Sequence, residues 1–433
     1  MSERRFGKES EVRPQRRVVV TGIGAITPLG KSAEESWQNC LSGKSNFIAL
    51  PYDKRFRSRV ASVVDFDLGD YFSGRELAHL KSRAHRSVQF SLVAVGQALS
   101  DAGLLKNGET LLEDIDDFRI GARIGTGIGG ADQYVDVYKT IDKKGADRVD
   151  PASILRILPE RTVSVPSMKY GLKAWTASST TACATGAGNT ADAAVLIQAN
   201  KADIMVCGGT EAAISPVMVA GFANMGALSI SYNEKPNNAS RPFDSARDGF
   251  VPGEGAVILV LEELNHALNR EAKIYAELAG MWSSADAKNS VQPDPDNVAK
   301  TIEFALADAG VDKDDVDLIV AHATSTYIGD LKEIEALRKV FGEKLSRIPI
   351  TAPKSSFGHL LGAAGSLTAM IAIKAINEDR IPPTINVENL GEEFTDLYIV
   401  RGRCEDREIN VAVANAFGFG GLNTVLVFRR FQP

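Results

Sequence analysis

The stretch Ala98-Leu-Ser-Asp-Ala-Gly-Leu104 returns in the second half of the chain as Ala305-Leu-Ala-Asp-Ala-Gly-Val311. Each copy reads as the end of a helix, stopped at its glycine. Each is followed, after an acidic linker, by an apolar strand running into a Gly/Thr/Ser turn. These are Phe118-Arg-Ile-Gly-Ala-Arg-Ile-Gly-Thr-Gly127 and Val316-Asp-Leu-Ile-Val-Ala-His-Ala-Thr-Ser325. The matching extends outward. Each half opens with a strand, Arg17-Val-Val-Val-Thr-Gly-Ile-Gly24 or Lys273-Ile-Tyr-Ala-Glu-Leu-Ala-Gly280. The segment around Cys183 and its following helix matches Ile350-Thr-Ala-Pro-Lys-Ser-Ser-Phe-Gly-His359 with the apolar run Leu360 to Ile376. Alternating strands and helices of these lengths imply α/β layers, and the duplication implies two similar halves joined near residues 265–272.

Cys183 carries the most information about chemistry. Thr176-Ala-Ser-Ser-Thr-Thr-Ala-Cys183 reads as a strand or strand end. The run after it, Ala-Thr-Gly-Ala-Gly-Asn-Thr-Ala-Asp-Ala-Ala-Val-Leu-Ile-Gln-Ala, is dominated by small residues and suits a buried helix that other backbones approach closely. Cys183 is thus expected at a strand-to-helix turn, facing free N–H groups and the positive end of a helix dipole. Such a setting is expected to lower the thiol pKa and make it a nucleophile. A buried cysteine taken alone is usually packing; its company decides otherwise.

Composition narrows the alternatives. The 433 residues, 44% hydrophobic, can bury a large core, and a net charge of −6 gives no support for nucleic-acid binding. The four cysteines, Cys40, Cys183, Cys207 and Cys404, lack CxxC or metal-like spacing. This argues against a disulfide framework or a zinc site, with Cys207 read as a core-strand residue. No run reaches membrane-spanning length, so no membrane insertion is expected. Residues 1–15 read as a disordered, charged lead-in. Its arginines fit an organelle transit peptide and its three glutamates oppose one; cytoplasm and mitochondrial matrix both stay open.

Of the five histidines, His322 ends an apolar strand and His359 opens an apolar helix. His359 lies in the repeat element equivalent to the one bearing Cys183. The second half therefore offers two imidazoles to a thiol from the first, the parts that nucleophilic acyl chemistry needs. Near the C-terminus, Asn415-Ala-Phe-Gly-Phe-Gly-Gly-Leu-Asn423 is a glycine-dense turn. Its N–H groups are free to approach a ligand, as half of an oxyanion hole would.

With these residues in view, the chain resembles the β-ketoacyl-acyl carrier protein synthases, the elongating condensing enzymes of dissociated fatty-acid synthesis. The likeness runs from Val18-Val-Val-Thr-Gly-Ile-Gly-Ala-Ile-Thr-Pro-Leu-Gly30 to the terminal strand. It rests on Thr181-Ala-Cys-Ala-Thr-Gly186, His322-Ala-Thr-Ser-Thr326, Lys354 with Gly358-His-Leu-Leu-Gly-Ala-Ala-Gly365, the Asn415–Gly421 turn, and Ser240-Arg-Pro-Phe-Asp-Ser-Ala-Arg-Asp-Gly-Phe-Val251. The resemblance implies a thiolase fold, a duplicated five-layered αβαβα arrangement about a pseudo-dyad. Residues 16–265 would form the nucleophile half and 266–433 the histidine half, assembled as a homodimer. It also implies roles. Cys183 would be the acyl-accepting nucleophile. His322 and His359 would hold the malonyl thioester and its enolate, with Lys354 ordering them. Cys183 and Phe419 would supply the oxyanion hole, with Phe419 as gate. Thr324 and Thr326 would bind phosphopantetheine, and Ile128 would line the acyl pocket. No cofactor is expected beyond the phosphopantetheine that arrives on the acyl carrier protein. Lys81, Arg83, His85 and Arg86, before a helix expected from Ser87 to about Ala102, offer that acidic partner a dock.

Four departures bear on rate and substrate preference. Thr368 stands where the family usually has a glutamate supporting the lysine, so Lys354 is expected to be held differently. Gly188 replaces a common histidine, and Ala323 a glycine, the latter a variant associated with mitochondrial members. The segment Asp286-Ala-Lys-Asn-Ser-Val-Gln-Pro-Asp294 lacks the usual His/Thr/Ser-Pro loop near the pantetheine channel. A polyketide-type ketosynthase is an alternative. A non-catalytic partner subunit is another, opposed by the presence of Cys183 and both histidines. A thiolase would need a second cysteine in the C-terminal glycine turn. Thr21-Gly-Ile-Gly lacks the full dinucleotide-binding spacing.

Overall fold

The computed structural model describes residues 16–289 and 291–432; the lead-in expected at 1–15 lies outside them. In the first half, strands β1 (Val18–Ile26), β2 (Ile120–Gly125), β3 (Ile204–Glu211) and β4 (Gly255–Glu263) are joined through helices that include α1 (Arg86–Asp101) and α2 (Thr185–Gln198). In the second, β5 (Ala276–Ala285), β6 (Leu318–Val320), β7 (Ile350–Thr351), β8 (Val411–Gly418) and β9 (Leu422–Arg429) alternate with α3 (Pro295–Ala309), α4 (Tyr327–Phe341) and α5 (Ala364–Glu378). The strand order is β7-β6-β8-β9-β5-β1-β4-β3-β2.

That order is the same motif written twice. Each half pairs its second strand parallel to the next long strand (β2 with β3, β6 with β8). Its last strand then runs antiparallel between that strand and its first. The two sets meet where β1 and β5, the equivalent first strands, run antiparallel at Val18–Val20 and Ala276–Leu278. An antiparallel pair of equivalent strands is what a local two-fold axis produces. One partner differs between halves. β7 pairs with β6, whereas the expected strand at Thr176–Cys183 makes a single bridge, Arg123 to Ala177. Its later backbone groups bond to side chains instead, Ser179 N to Asn189 Oδ1 and Thr181 N to Thr185 Oγ1.

Helices α2 and α5 contact each other and strands from both sets, while α1 covers β1 and β4 outside and α3 covers β5 and β9. The layers are therefore α, β, α, β, α. The sequence repeat explains the outer contacts. A Cβ on Gly22 would fall 2.3 Å from Ala98 O, and one on Gly280 would fall 2.6 Å from Ala305 O, so both copies lie against a glycine of a first strand. The central contact has the same basis. A Cβ on Gly186 would lie 2.6 Å from Ser366 Oγ, and one on Gly365 would lie 2.6 Å from Ala187 N. Every residue of α5 from Ala364 to Ile376 is buried, as suits a mostly apolar central helix; Lys374, in its last turns, is paired with Glu34 and Glu378.

Candidate active site

The site lies where the first turns of α2 and α5 meet the end of β8. Ala182–Ala184 form a single tight turn entering α2, with Ala182 at φ 47°. Leu361–Ala363 form the matching turn entering α5, with Leu361 at φ 44°. Such non-glycine positive φ values cost about 1–3 kcal/mol and persist only where the surroundings enforce them. They put Cys183 and Gly362 at equivalent places, so the histidine is not the direct counterpart of the cysteine. His359 lies just upstream of the second turn.

Cys183, His322, His359, Thr324, Thr326 and Phe419 all border one cavity of about 360 Å³. Cys183 is buried, and burial pushes its thiol up to about 11, against the lowering expected from the turn. The Phe419 N–H and the charge of Lys354 pull the other way without winning, and Glu211 pushes further up. Dipole and N–H donors are local, whereas desolvation comes from the apolar cluster that Cys183 shares with Leu361 and Phe250, and against which Phe222 and Phe419 pack. The approach to the Cys183 N–H depends on Gly418, where a Cβ would sit 3.2 Å from that nitrogen and 2.6 Å from Thr181 O. Gly420 and Gly421 (φ 86° and 69°) close the β8–β9 hairpin that carries Phe419.

The imidazoles are fixed by backbone donors. Phe417 N donates to His322 Nδ1 at 3.3 Å, and Leu361 N donates to His359 Nδ1 at 3.3 Å. Each Nδ1 is therefore an acceptor, which leaves the proton on Nε2 of both rings. The rings sit edge to face, centroids 5.5 Å apart. Burial first, then the Lys354 charge, holds both well below the ordinary histidine range, so both are neutral. Lys354 is 1% exposed. It donates to His322 O and lies 3.4 Å from His322 Nδ1. Burial brings it down to about 8, against the opposing pull of Glu333.

Glu333 was not singled out from the sequence, yet it is the carboxylate nearest this network. It accepts from His322 N (2.8 Å), Ala323 N (2.7 Å) and Asn415 Nδ2 (2.9 Å). The signal was available: Glu333 and Asp330 face back from the first turns of α4, which starts directly after His322-Ala-Thr-Ser-Thr326. The hydroxyl of Thr368 bonds instead to Gly365 O at 2.9 Å. Lys354 is thus held by the His322 carbonyl and faces Glu333 on α4 rather than any group at position 368. Thr324 and Thr326 bond to each other at 2.9 Å. Ser325 between them adopts φ 69° and its N–H is held by Asp330.

Ile128 does not border the open cavity but packs into the apolar cluster around Cys183. Val291, Gln292 and Pro293, from the segment that departs from the family pattern, do border it. The basic cluster divides. Lys81 and Arg83 are exposed at the end of the helix Gly74–Arg83. Arg86 turns inward to Glu254 (2.8 Å) and Val64 O and stacks on Phe90, so it is spent on the fold. His85 is buried beside Asp132. None of the four borders the cavity. No helix of the described residues is long and apolar enough to cross a membrane.

The sequence and the fold are similar to those of known proteins. The model of the β-ketoacyl synthase N-terminal domain matches residues 15–267 and that of the C-terminal domain residues 275–388. The chain is 39% identical over 426 residues to a 3-oxoacyl-[acyl-carrier-protein] synthase 2 of Synechocystis sp., covering 96% of this chain and 99% of the relative. It is 39% identical over 421 residues to the protein of the same name from Coxiella burnetii, with the same coverage. A β-ketoacyl synthase structure from Burkholderia phymatum superposes with a TM-score of 0.88 at 32% identity, over 96% of this chain and 100% of that one. A type II PKS acyl-carrier protein in complex with its ketosynthase bound to the hexaketide gives 0.87 at 32%, with the same coverage.

Proposed function

The chain belongs to the β-ketoacyl synthase family, and from that premise we propose that it condenses malonyl-acyl carrier protein with an acyl chain held on Cys183, lengthening fatty acids. The observation that carries this is the pair of neutral imidazoles. Both have Nδ1 engaged by a backbone N–H and both keep an Nε2–H donor, in the cavity that Cys183 borders.

Loading begins with the Cys183 sulfur attacking an acyl thioester. The tetrahedral oxyanion takes hydrogen bonds from the Cys183 and Phe419 N–H groups, the C–S bond to the carrier breaks, and the thiol proton leaves with the departing pantetheine thiolate. One thiol is consumed and one released, so a thiol at about 11 needs no permanent base. Malonyl carrier protein then enters past Thr324 and Thr326. Its thioester oxygen accepts the two Nε2–H bonds; as CO2 departs, its bonding electrons become the enolate that those donors stabilise. The enolate carbon attacks the acyl-Cys183 carbonyl, the new C–C bond forms and the Cys183 thiolate is expelled. Neutral donors suit this step, because they stabilise the enolate without supplying a proton that would quench it. Of the exposed pair, Lys81 lies 3.4 Å from Asp67, so Arg83 is the residue of the cluster better placed to meet an acidic carrier.

A homodimer is part of the proposal. The helix Ala131–Lys144 buries no residue in the single chain. It exposes Tyr134, Tyr138 and Ile141 along one face. A stripe of that kind marks an unpartnered surface.

The test separates the two steps. Mass spectrometry after incubation with acylated carrier proteins should find the acyl group on Cys183. Cys183→Gln should abolish condensation but keep CO2 release from malonyl carrier protein. His359→Ala should cut CO2 release by about 10²-fold, the scale for one oxyanion donor. Wild-type protein that takes up no acyl group and releases no CO2 would sink the reading in favour of a partner subunit.

A further inference from the structure

The pseudo-dyad sets a second copy of the nucleophile turn opposite the first, and that copy is plugged. In the second half, β8 ends on Gly418, bare against the Cys183 N–H. In the first half, the equivalent strand β3 ends on Glu211, which is 0% exposed. Its Oε2 accepts from Gly362 N, the counterpart of Cys183 N, at 3.1 Å, and from Gly127 N at 2.9 Å. Its Oε1 accepts from Thr126 Oγ1 at 2.7 Å. The fit is tight on both sides: a Cβ on Gly127 would lie 2.8 Å from Oε2, and one on Gly362 would lie 3.0 Å from it.

The bonds of Glu211 end on the two backbones that wall the cysteine. Gly127 precedes Ile128, and Gly362 follows Leu361; both side chains belong to the apolar cluster around Cys183. The Leu361 N–H in turn fixes His359 Nδ1. One carboxylate, from neither the cysteine turn nor the histidine turn, thus sets the spacing between the acyl-pocket wall and the segment that orients an imidazole.

We propose that Glu211 is a positioning residue that locks the Thr126–Ile128 loop to the Leu361–Gly362 turn, so that chain-length preference at Cys183 and donor geometry at His359 depend on the same carboxylate. The proposal rests on the roles given above to Cys183 and His359. A glutamate that merely stabilised the fold would lower every activity by one common factor when altered. A positioning glutamate shifts ratios.

Glu211→Gln keeps the size but removes the charge and one acceptor: with its oxygen on the Gly127 and Gly362 N–H groups, its amide N–H faces Thr126 Oγ1 and reverses that bond. In the folded variant, the ratio of Cys183 acylation by long-chain to short-chain acyl carrier proteins should change by about tenfold, the scale of one methylene in an apolar pocket. CO2 release should fall as well. A substrate-independent arm uses short and long N-alkyl maleimides, reading the labelling ratio at Cys183 by peptide mass spectrometry. It should move in the same direction even if the wild type proves not to condense acyl chains, which separates failure of this proposal from failure of the functional reading. Thr126→Val removes the Oε1 donor, together with the acceptor of the Gly129 N–H, and should give a smaller shift of the same sign, restored by Thr126→Ser; it serves if Glu211→Gln does not fold. Unchanged ratios in a folded variant, or a uniform loss of all activities, would overturn the proposal.

Discussion

Lys354 shows how burial makes a single residue both a cost and a tool. Its ammonium is enclosed by protein and loses its proton at about 8 rather than at the ordinary 10.5. Between those values the unfolded chain binds the extra proton and the folded one does not, so this residue makes stability rise with pH across that window. The expected contribution is roughly 3 kcal/mol at one unit per 1.36 kcal/mol. Subtracting the pH dependence of unfolding of Lys354→Met from that of the wild type should isolate it, and a flat difference would mean that Lys354 is not buried as described. The same deprotonation removes the positive charge that restrains the Cys183 pKa, so acylation by Lys354→Met should fall below that of the wild type at pH values under 8 and converge on it, compared at the same pH, above 8. Glu333, opposite, is the partner that keeps the ammonium charged below that value.

At the scale of elements, the two central helices explain why so much of the chain is alanine and glycine. Their N-terminal turns carry Cys183 and follow His359, and they touch through Gly186 and Gly365 at distances no side chain permits. Gly365→Ala forces a Cβ against Ala187 N at 2.6 Å, backbone that cannot step aside. A loss of about 1–3 kcal/mol is expected from such overpacking. Gly221→Ala is the matched control. That glycine lies inside the helix Pro216–Asn224 with nothing within 4 Å of its Cβ position. A gain of about 0.4–1 kcal/mol is expected there. Chemical denaturation of both variants checks the pair; equal effects would mean that helix propensity, not the interhelical contact, governs position 365. The small-residue pattern was legible in the sequence, and so was the helix. The missing strand at Thr176–Cys183 was not, because its backbone is diverted by Asn189 and Thr185, whose reach becomes visible only once α2 is in place.

For the whole molecule, the open question in a single chain is the exposed face of the helix Ala131–Lys144. Tyr138 is 70% exposed and Ile141 44%, on a helix that buries none of its own residues. The double substitution Tyr138→Glu, Ile141→Glu places charge on that face and should weaken self-association by about 2 kcal/mol or more, as loss of an interface anchor does. Sedimentation of wild type and variant at matched concentration reads it, with circular dichroism to show that the fold is kept. A wild-type monomer, or a variant that associates as before, would remove this face from consideration.

What the sequence determined by itself is what short-range spacing encodes. The repeated Ala-Leu-Ser/Ala-Asp-Ala-Gly unit, the alternation of strand and helix, the turn before α2 and the motifs around Cys183, His322, Lys354 and His359 are local patterns, set by backbone sterics and hydrophobic period. The tertiary structure decided everything that depends on which distant groups share a desolvated volume. Cys183 is raised rather than lowered because the apolar wall outweighs the helix end; Arg86 is spent on Glu254; and Glu333 and Glu211 reach a site whose other members lie in remote segments. The reason is physical. Hydrogen bonds along a turn are fixed by neighbours in the chain, whereas the cost of burying a charge is set by whatever the fold packs around it.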